Sequence, residues 1–172
     1  MNALSRRRNA ASEPKPQDHD FNKVLRFCAF RPRNRFEVEK KMVQMGLCES
    51  IRKKYMAKLL KEKIIQDEEY LRAYIRGKVF KNRWGRLKIA HQLRQEGFSP
   101  RTVAKAFREN VEEEEYEQVA RLVLNMRKKY LMSKGFDAED LRIRCFNYMI
   151  AKGYEPSLVE RLCCELRREA SS

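Results

Sequence analysis

The sequence lacks the features that mark membrane-spanning, secreted and metal-binding proteins. No run approaches the roughly 18 consecutive apolar residues of a membrane span, and residues 1–20 lack the apolar stretch of a signal peptide. The five cysteines are odd in number and none is spaced CxxC, so neither a disulfide framework nor a zinc site is expected. Only two histidines are available as further metal ligands. We expect a cytoplasmic protein without metal or cofactor.

Catalytic motifs are also missing. The sequence contains no glycine-rich phosphate loop, GxSxG elbow, HExxH or EF-hand pattern. There are only six glycines, and three of them fall at predicted helix ends. The acidic clusters at 67–69 and 139–140 lie at predicted helix starts, where the helix dipole favours negative charge. We therefore expect a protein that is not an enzyme.

Positive charge is abundant and unevenly distributed. The 172 residues carry a net charge of +15, which should attract phosphates or an acidic protein. Residues 1–110 contain 28 basic and 12 acidic residues, whereas residues 111–172 contain 11 basic and 12 acidic residues. The basic excess therefore lies entirely before residue 111.

A repeat organises most of the chain. Three segments align without gaps on Gly46, Gly97 and Gly153, and each glycine is predicted to end a helix in the left-handed conformation. After the second glycine, Ser99 and Pro100 predict the N-cap and first residue of the next helix. An arginine stands eleven residues before each glycine, and apolar residues stand ten, eight and four before it. The arginines are Arg35, Arg86 and Arg142; the apolar residues, predicted to share one buried face, are Phe36, Val38 and Met42, then Leu87, Ile89 and Leu93, then Ile143, Cys145 and Met149.

A further amphipathic segment precedes each pair and predicts a third helix per copy. In the last copy its expected apolar face consists of Val119, Leu122, Val123 and Met126. The predicted fold is all-α, with three tandem three-helix repeat units forming an elongated, curved molecule. The expected boundaries are a flexible basic tail at 1–20 and three-helix units at 21–66, 67–110 and 111–172.

Basic residues recur where the first helix of a unit meets the second, and they are the candidate binding residues. Arginine in a first turn is mildly disfavoured by the helix dipole. Because position 90 is alanine, Arg86 has no carboxylate one turn along its helix, and we rank it first. Trp84 either packs across this turn or exposes its ring to a partner. The predicted binding residues are Arg31, Arg33, Arg35, Arg72, Arg76, Lys81, Arg83, Trp84, Arg86 and Lys88.

The central segment resembles a known family. DEEYLRAYIRGKVFKNRWGRLKIAHQLRQEGFSPRTVAKAF, residues 67–107, is similar to the central signature of RecX, the bacterial regulator of the RecA recombinase. The similarity lies in the acidic start, the Ala73-Tyr74-Ile75-Arg76 core, the basic turn ending in Gly85 and the glycine at 97. RPRNRFEVEKKMVQMG resembles the family's upstream signature. Gly77 departs from the family's usual polar residue, so the first helix of the second unit is expected to be short or bent.

The resemblance implies a function without catalysis. It implies that the protein, like RecX family members, modulates RecA, mostly as an inhibitor, by binding in the groove of the RecA filament on single-stranded DNA. They thereby affect homologous recombination, DNA repair and the SOS response. It also implies a monomer, with single- or double-stranded DNA as a further partner. Two alternatives stay open from the residues themselves: a basic helical-repeat protein that binds nucleic acid directly, and an adaptor for an acidic protein.

Overall fold

The computed structural model describes residues 18–169, so nearly all of the predicted basic tail lies outside the described residues. Within this range the regular structure consists of nine α-helices and one short π-helical turn, without strands. The prediction of an all-α fold is confirmed. None of the helices in this range is long and apolar enough to cross a membrane.

The described residues up to Gln66 form a first compact unit of three helices. Helix α1 spans Asp18–Ala29, α2 spans Arg35–Gln44 and α3 spans Glu49–Lys61. Asn34 is buried and caps α2, because its side-chain oxygen accepts a hydrogen bond from the Glu37 amide at 2.8 Å. The core of this unit consists of Phe21, Val24, Cys28, Val38, Met42, Ile51, Tyr55, Leu59 and Ile65.

The described residues from Asp67 onward form a second compact unit. Its helices are α4 Asp67–Arg76, α5 Arg86–Gln95, α6 Pro100–Asn110, α7 Glu113–Met132, α8 Ala138–Lys152 and α9 Pro156–Glu169. Helices α4 and α5 pack on α6, and α8 packs on both α7 and α9. A single cluster of buried side chains runs from Tyr70 to Leu162. The segments at 67–110 and 111–172 therefore share one core, as neighbouring repeats do.

The three aligned glycines end their helices as predicted. Gly46, Gly97 and Gly153 have φ angles of 74°, 87° and 89°, which glycine adopts without steric cost. After Gly97, the amide of Phe98 donates to the carbonyl of Leu93 at 3.1 Å, and the other two copies repeat this bond. Each helix end is thus a Schellman motif. The predicted cap of α6 also forms, since the Ser99 hydroxyl accepts from the Thr102 amide at 3.1 Å.

One position of the predicted buried face is wrong in all three copies. The side chains ten residues before the glycines, Phe36, Leu87 and Ile143, are 50%, 50% and 46% exposed. The residues eight and four before the glycines are all buried. The reason is geometric: residues two apart on a helix point about 200° from each other, so the first and second apolar positions cannot share a face.

Helix α7 also buries a different face from the predicted one. Leu122 and Met126 are about half exposed, and of the predicted set only Val123 is fully buried. The buried stripe consists of Tyr116, Ala120, Val123, Leu124 and Leu131. The sequence analysis overlooked Tyr116 and Ala120 because a tyrosine and an alanine contribute little to an aliphatic pattern.

The effect expected of Gly77 occurs. Helix α4 ends at Arg76, and a π-helical turn spans Gly77–Lys81, in which the Asn82 amide donates to the Gly77 carbonyl at 3.2 Å. The extra residue of a π turn changes the direction of the side chains that follow. Val79 thereby reaches the core, and Phe80 packs against it. This turn leads directly into the basic segment between α4 and α5, residues 81–88, which we call the second basic junction.

Candidate functional site

At the first basic junction, the predicted binding residues Arg31 and Arg33 both contact side chains of their own unit. Arg31 forms an ion pair with Glu37, and Arg33 lies 3.3 Å from the same carboxylate. The Arg33 guanidinium also lies 3.9 Å from the centroid of the Phe27 ring. Arg35 is exposed at the start of α2. Arg31 and Arg33 therefore stabilise the turn between α1 and α2.

The second basic junction has a constrained backbone. Arg83 has a φ of 55°, a conformation that costs a side-chain-bearing residue roughly 1–2 kcal/mol. Hydrogen bonds hold the chain on both sides of it. The Tyr154 hydroxyl donates to the Arg83 carbonyl at 3.3 Å, and the Trp84 amide donates to the Lys78 carbonyl at 3.0 Å. The connection between α8 and α9 and the preceding π-helical turn thus fix the position of the junction.

Trp84 packs across this turn, which is the first of the two alternatives given by the sequence. Its ring is half-buried against the core of the second unit. The Nζ atoms of Lys78 and Lys88 lie 4.4 and 4.6 Å from the ring centroid, which is cation–π distance. The indole therefore holds two lysines of the basic turn in place.

Arg86, ranked first from the sequence, has two carboxylate partners from distant parts of the chain. One guanidinium nitrogen lies 2.8 Å from Glu113, and the other lies 3.1 Å from Glu155. Its backbone amide donates at 2.8 Å to the hydroxyl of Tyr116, which in turn donates to Glu155 at 2.8 Å. Burial opposes the charge of Arg86, but the two carboxylates outweigh it and raise its pKa. The expectation that Arg86 lacks a carboxylate holds only within its own helix.

Tyr116 is the buried centre of this network. Its ring lies 4.6 Å from the Arg86 guanidinium carbon. Burial, followed by the neighbouring Glu155 carboxylate, raises the pKa of the Tyr116 hydroxyl far above its usual value. The phenol therefore stays protonated and donates a hydrogen bond to Glu155. The network joins α5 to the start of α7 and to the residue before α9.

The remaining predicted cations of this junction face solvent. Arg72 and Arg76 are both exposed and lie four residues apart on α4, as predicted. Arg72 lies 3.6 Å from the exposed Glu69, and Arg76 donates to the Asn110 carbonyl at 2.9 Å. Lys81 and Lys88 are exposed as well. At the second junction, these four residues form the solvent-facing part of the predicted binding surface.

A groove of about 340 Å³ lies beside the second junction. Lys81 and Arg83 from the junction meet residues of α7 and α8 that the sequence analysis missed. The missed residues belong to the nearly neutral C-terminal segment, where no charge excess drew attention to them. The spacings on the two helices were the available signal, since residues three or four apart share a helix face. The missed residues are Arg127 and Tyr130 on α7, and Tyr148 and Lys152 on α8.

A second cavity, of about 470 Å³, is lined partly by Cys145 and Cys163. Burial raises the pKa of both thiols, so they remain protonated and weakly nucleophilic at neutral pH. Among residues 18–169, no group of three or more histidine, cysteine, aspartate or glutamate side chains is placed to ligate a metal. The rest of its lining mixes the apolar Ala138 and Leu141 with the charged Lys128, Glu139 and Arg142.

Comparison with known proteins identifies the central segment. Residues 67–106 match the family model of the second three-helix domain of RecX. The match coincides with helices α4 to α6 and with the segment on which the sequence resemblance was based. The resemblance to the RecX family is thereby confirmed. No curated protein sequence matches the chain.

Two solved structures share the fold. The crystal structure of RecX from Lactobacillus salivarius superposes with a TM-score of 0.75 at 17% identity, over 87% of this chain and 95% of that chain. A crystal structure of a regulatory protein RecX superposes with a TM-score of 0.73, also at 17% identity, over 84% of this chain and 70% of that chain. Since these identities are low, the two structures establish the helical fold beyond the matched domain and nothing further.

Proposed function

We propose that this protein, which carries the second three-helix domain of the RecX family, is a regulator of the RecA recombinase. The observation that carries the proposal is the family match over residues 67–106. That segment contains the basic junction with its solvent-facing cations and the constrained turn around Trp84. The shared fold over 87% of the chain supports extending the likeness beyond this domain.

The proposed action is inhibition by binding in the groove of the RecA filament on single-stranded DNA, without catalysis. A protein lying there would hinder filament growth and the approach of a second DNA, and so reduce recombination, repair and SOS signalling. We propose that it acts in the cytoplasm as a monomer. The net charge of +15 favours rapid association with a polyanionic filament.

The solvent-facing cations of the second unit are the proposed contacts. Arg72, Arg76 and Lys88 are exposed, and they do not form the close internal pairs of Arg86. Substituting them therefore tests binding with little change in folding. Arg86 is a poor choice for the same purpose, because removing it would leave Glu113 and Glu155 without their partner.

Binding to preformed filaments tests the proposal. RecA is assembled on single-stranded DNA with a slowly hydrolysed nucleotide, and the labelled full-length protein is titrated against it. The Arg72→Ala, Lys88→Ala double variant should bind about tenfold more weakly, because two surface charges each contribute up to about 1 kcal/mol. The control double variant, Arg101→Ala with Lys105→Ala, removes two exposed charges of α6 and should bind within about twofold of the unsubstituted protein. Absence of filament binding by the unsubstituted protein would refute the proposal.

A further inference from the structure

The cavity lined by Cys145 and Cys163 lies where the third aligned segment has smaller side chains than the second. Eight residues before the aligned glycine, the second segment has Ile89 and the third has Cys145. Ten residues after the glycine, the second has Phe107 and the third has Cys163. Ile89 and Phe107 are buried and belong to the core that joins α5 to α6. The two thiols are smaller by several atoms, and a cavity of about 470 Å³ lies beside them.

The size and walls of this cavity suit a small molecule. Its volume lies within the range of roughly 300–1,000 Å³ that is typical of ligand sites. Helices α7, α8 and α9 all contribute to the lining, and α8 packs on the other two. Protonated thiols behave as small apolar groups, so Cys145 and Cys163 continue the apolar surface of Leu141. The cavity therefore offers an apolar wall held by three packed helices.

Two cations lie beside this wall. Lys128 is half-buried on α7, and Arg142 is exposed in the first turns of α8. Neither forms an ion pair with any carboxylate among the side chains described from 18 to 165. Glu139 is the one acidic residue among the described lining residues, and it is exposed. The lining thus carries more positive than negative charge, and its cations are available to an anion.

Arg86 shows which groups satisfy this arginine position in the second segment. Its guanidinium lies 2.8 Å from Glu113. The guanidinium carbon lies 4.6 and 5.6 Å from the ring centroids of Tyr116 and Phe107. Arg142 is the counterpart of Arg86, eleven residues before its glycine, and no described carboxylate or ring lies at ion-pair or cation–π distance from it. The same position thus has a carboxylate and two rings in one segment and an open cavity in the other.

We propose that this cavity binds a small aromatic carboxylate. The ring lies against Leu141 and the two thiols, and the carboxylate accepts hydrogen bonds from Lys128 and Arg142. The ligand thereby supplies the ring and the carboxylate that the second segment receives from its own chain. A purely apolar molecule would leave both cations unsatisfied, and a phosphate ion alone would leave the apolar wall uncovered. The site lies outside the matched residues 67–106 and goes beyond the proposed function, because it involves neither RecA nor DNA.

Isothermal titration calorimetry of the full-length protein with 2-naphthoate, without RecA or DNA, tests the proposal. The dissociation constant should lie below about 1 mM, which a ligand of about 13 non-hydrogen atoms reaches at the ligand efficiency of drug-sized molecules. The neutral isostere 2-naphthalenemethanol should bind at least about tenfold more weakly, because it offers the cations no charge. Absence of saturable naphthoate binding would overturn the proposal, as would equal affinities for the two probes.

Two cavity cations can be removed with a matched control. Lys128→Ala with Arg142→Ala should weaken naphthoate binding at least about tenfold and should leave binding of the neutral isostere within about twofold. Arg101→Ala with Lys105→Ala removes the same charge from α6 and should bind both probes like the unsubstituted protein. Thermal unfolding confirms that each variant folds, and glutamine replaces alanine where one does not. Equal naphthoate affinities of the cavity variant and its control would refute the assigned contacts.

The apolar component is tested by filling the cavity while keeping both cations. Cys145→Ile with Cys163→Phe introduces the side chains of the second segment and should abolish binding of naphthoate and of its neutral isostere alike. If this variant does not fold, Cys163→Leu fills less of the space and should weaken both probes about tenfold. Unchanged naphthoate binding by a folded, filled variant would show that the ligand site lies elsewhere.

The location is tested by NMR of the nitrogen-15-labelled protein. Naphthoate should shift the amide signals of residues 138–145 and leave those of residues 81–88 unchanged; shifts confined to other residues would overturn the assignment. A peptide copy of residues 112–123 carries the carboxylates and the tyrosine that Arg86 meets, and serves as a competitor. Tighter binding of this peptide than of naphthoate would replace the small molecule by a protein partner. Since RecA and DNA are absent throughout, failure here is distinguishable from failure of filament binding.

Discussion

Gly85 and Gly153, 68 positions apart in the sequence, lie in direct backbone contact. The Gly85 amide donates to the Lys152 carbonyl at 2.8 Å, and the Leu87 amide donates to the Gly153 carbonyl at 2.9 Å. A Cβ added at Gly85 would lie 2.1 Å from the Gly153 carbonyl carbon. The second and third repeat segments are therefore joined through their main chains at the basic junction, where only glycine fits.

Replacing Gly153 and Gly97 by alanine should separate the cost of a steric conflict from the cost of backbone strain. In Gly153→Ala the new Cβ would lie 2.3 Å from the Lys88 Cβ, whereas in Gly97→Ala it meets nothing within 4 Å. The φ angles, 89° and 87°, are nearly equal. We expect Gly97→Ala to lower the free energy of unfolding by about 1–2 kcal/mol and Gly153→Ala by about 1–3 kcal/mol more. Urea unfolding followed by the fluorescence of Trp84, the only tryptophan, measures both. Equal losses would show that the close contact is absent.

In the first unit, Lys63→Gly should stabilise the protein. Lys63 ends the α3 region with a φ of 55°, in the same Schellman pattern that glycine provides in the three aligned copies. Removing the side chain relieves about 1 kcal/mol of strain. Lys54→Gly in the middle of α3 is the control and should cost about 1 kcal/mol. Urea unfolding followed by circular dichroism should show midpoint shifts in opposite directions; two downward shifts would contradict the prediction.

An ion-pair network between α7 and α9 should make stability depend on pH. Hydrogen bonds from Arg161 and then Arg121 lower the pKa of Glu117 to about 2. A lowered folded-state pKa contributes stability above the ordinary glutamate pKa, and that stability is lost as the pH falls from about 5 to 2. We expect Glu117→Gln to reduce the unfolding free energy by about 1 kcal/mol at pH 7 and to have little effect at pH 2. A loss of equal size at both pH values would exclude this linkage.

Arg86→Ala should reveal a structural role. It would remove the cation that pairs with the Glu113 and Glu155 carboxylates and lies beside Tyr116, which should cost about 2 kcal/mol of stability. Lys88→Ala, at an exposed position of the same helix, removes only one cation–π contact with Trp84 and should change stability by less than about 1 kcal/mol. Thermal unfolding compares the two variants. A stable Arg86→Ala protein with impaired filament binding would return Arg86 to the partner surface.

The repeat could be predicted from the sequence because its signals are local. The C-terminal glycine, the apolar residue after it and the Ser99-Pro100 start depend only on neighbouring residues, and all three occur in the structure. The error at Phe36, Leu87 and Ile143 came from grouping positions that a helix places on different sides. A stricter use of the helical period would have avoided it.

The candidate site could be predicted only in part because its partners are distant in sequence. Arg86 forms ion pairs with Glu113 and Glu155, which lie 27 and 69 positions further along the chain. No spacing rule predicts ion pairs between residues so far apart. The groove combines residues 81–83, 126–130 and 148–152, which become neighbours only when α7 and α8 pack beside the junction. Composition predicted an anionic partner class but assigned the surface to the N-terminal charge excess alone.

The most direct test of the central claim is RecA-catalysed DNA strand exchange with increasing amounts of the full-length protein. The RecA ATPase on single-stranded DNA is followed in parallel, and single-stranded DNA is kept in excess so that direct DNA binding cannot deplete it. The account predicts that both activities fall at protein concentrations well below that of RecA, and that Arg72→Ala with Lys88→Ala requires about tenfold more protein. Unchanged strand exchange and ATPase rates at equimolar protein would contradict the claim that this chain regulates RecA.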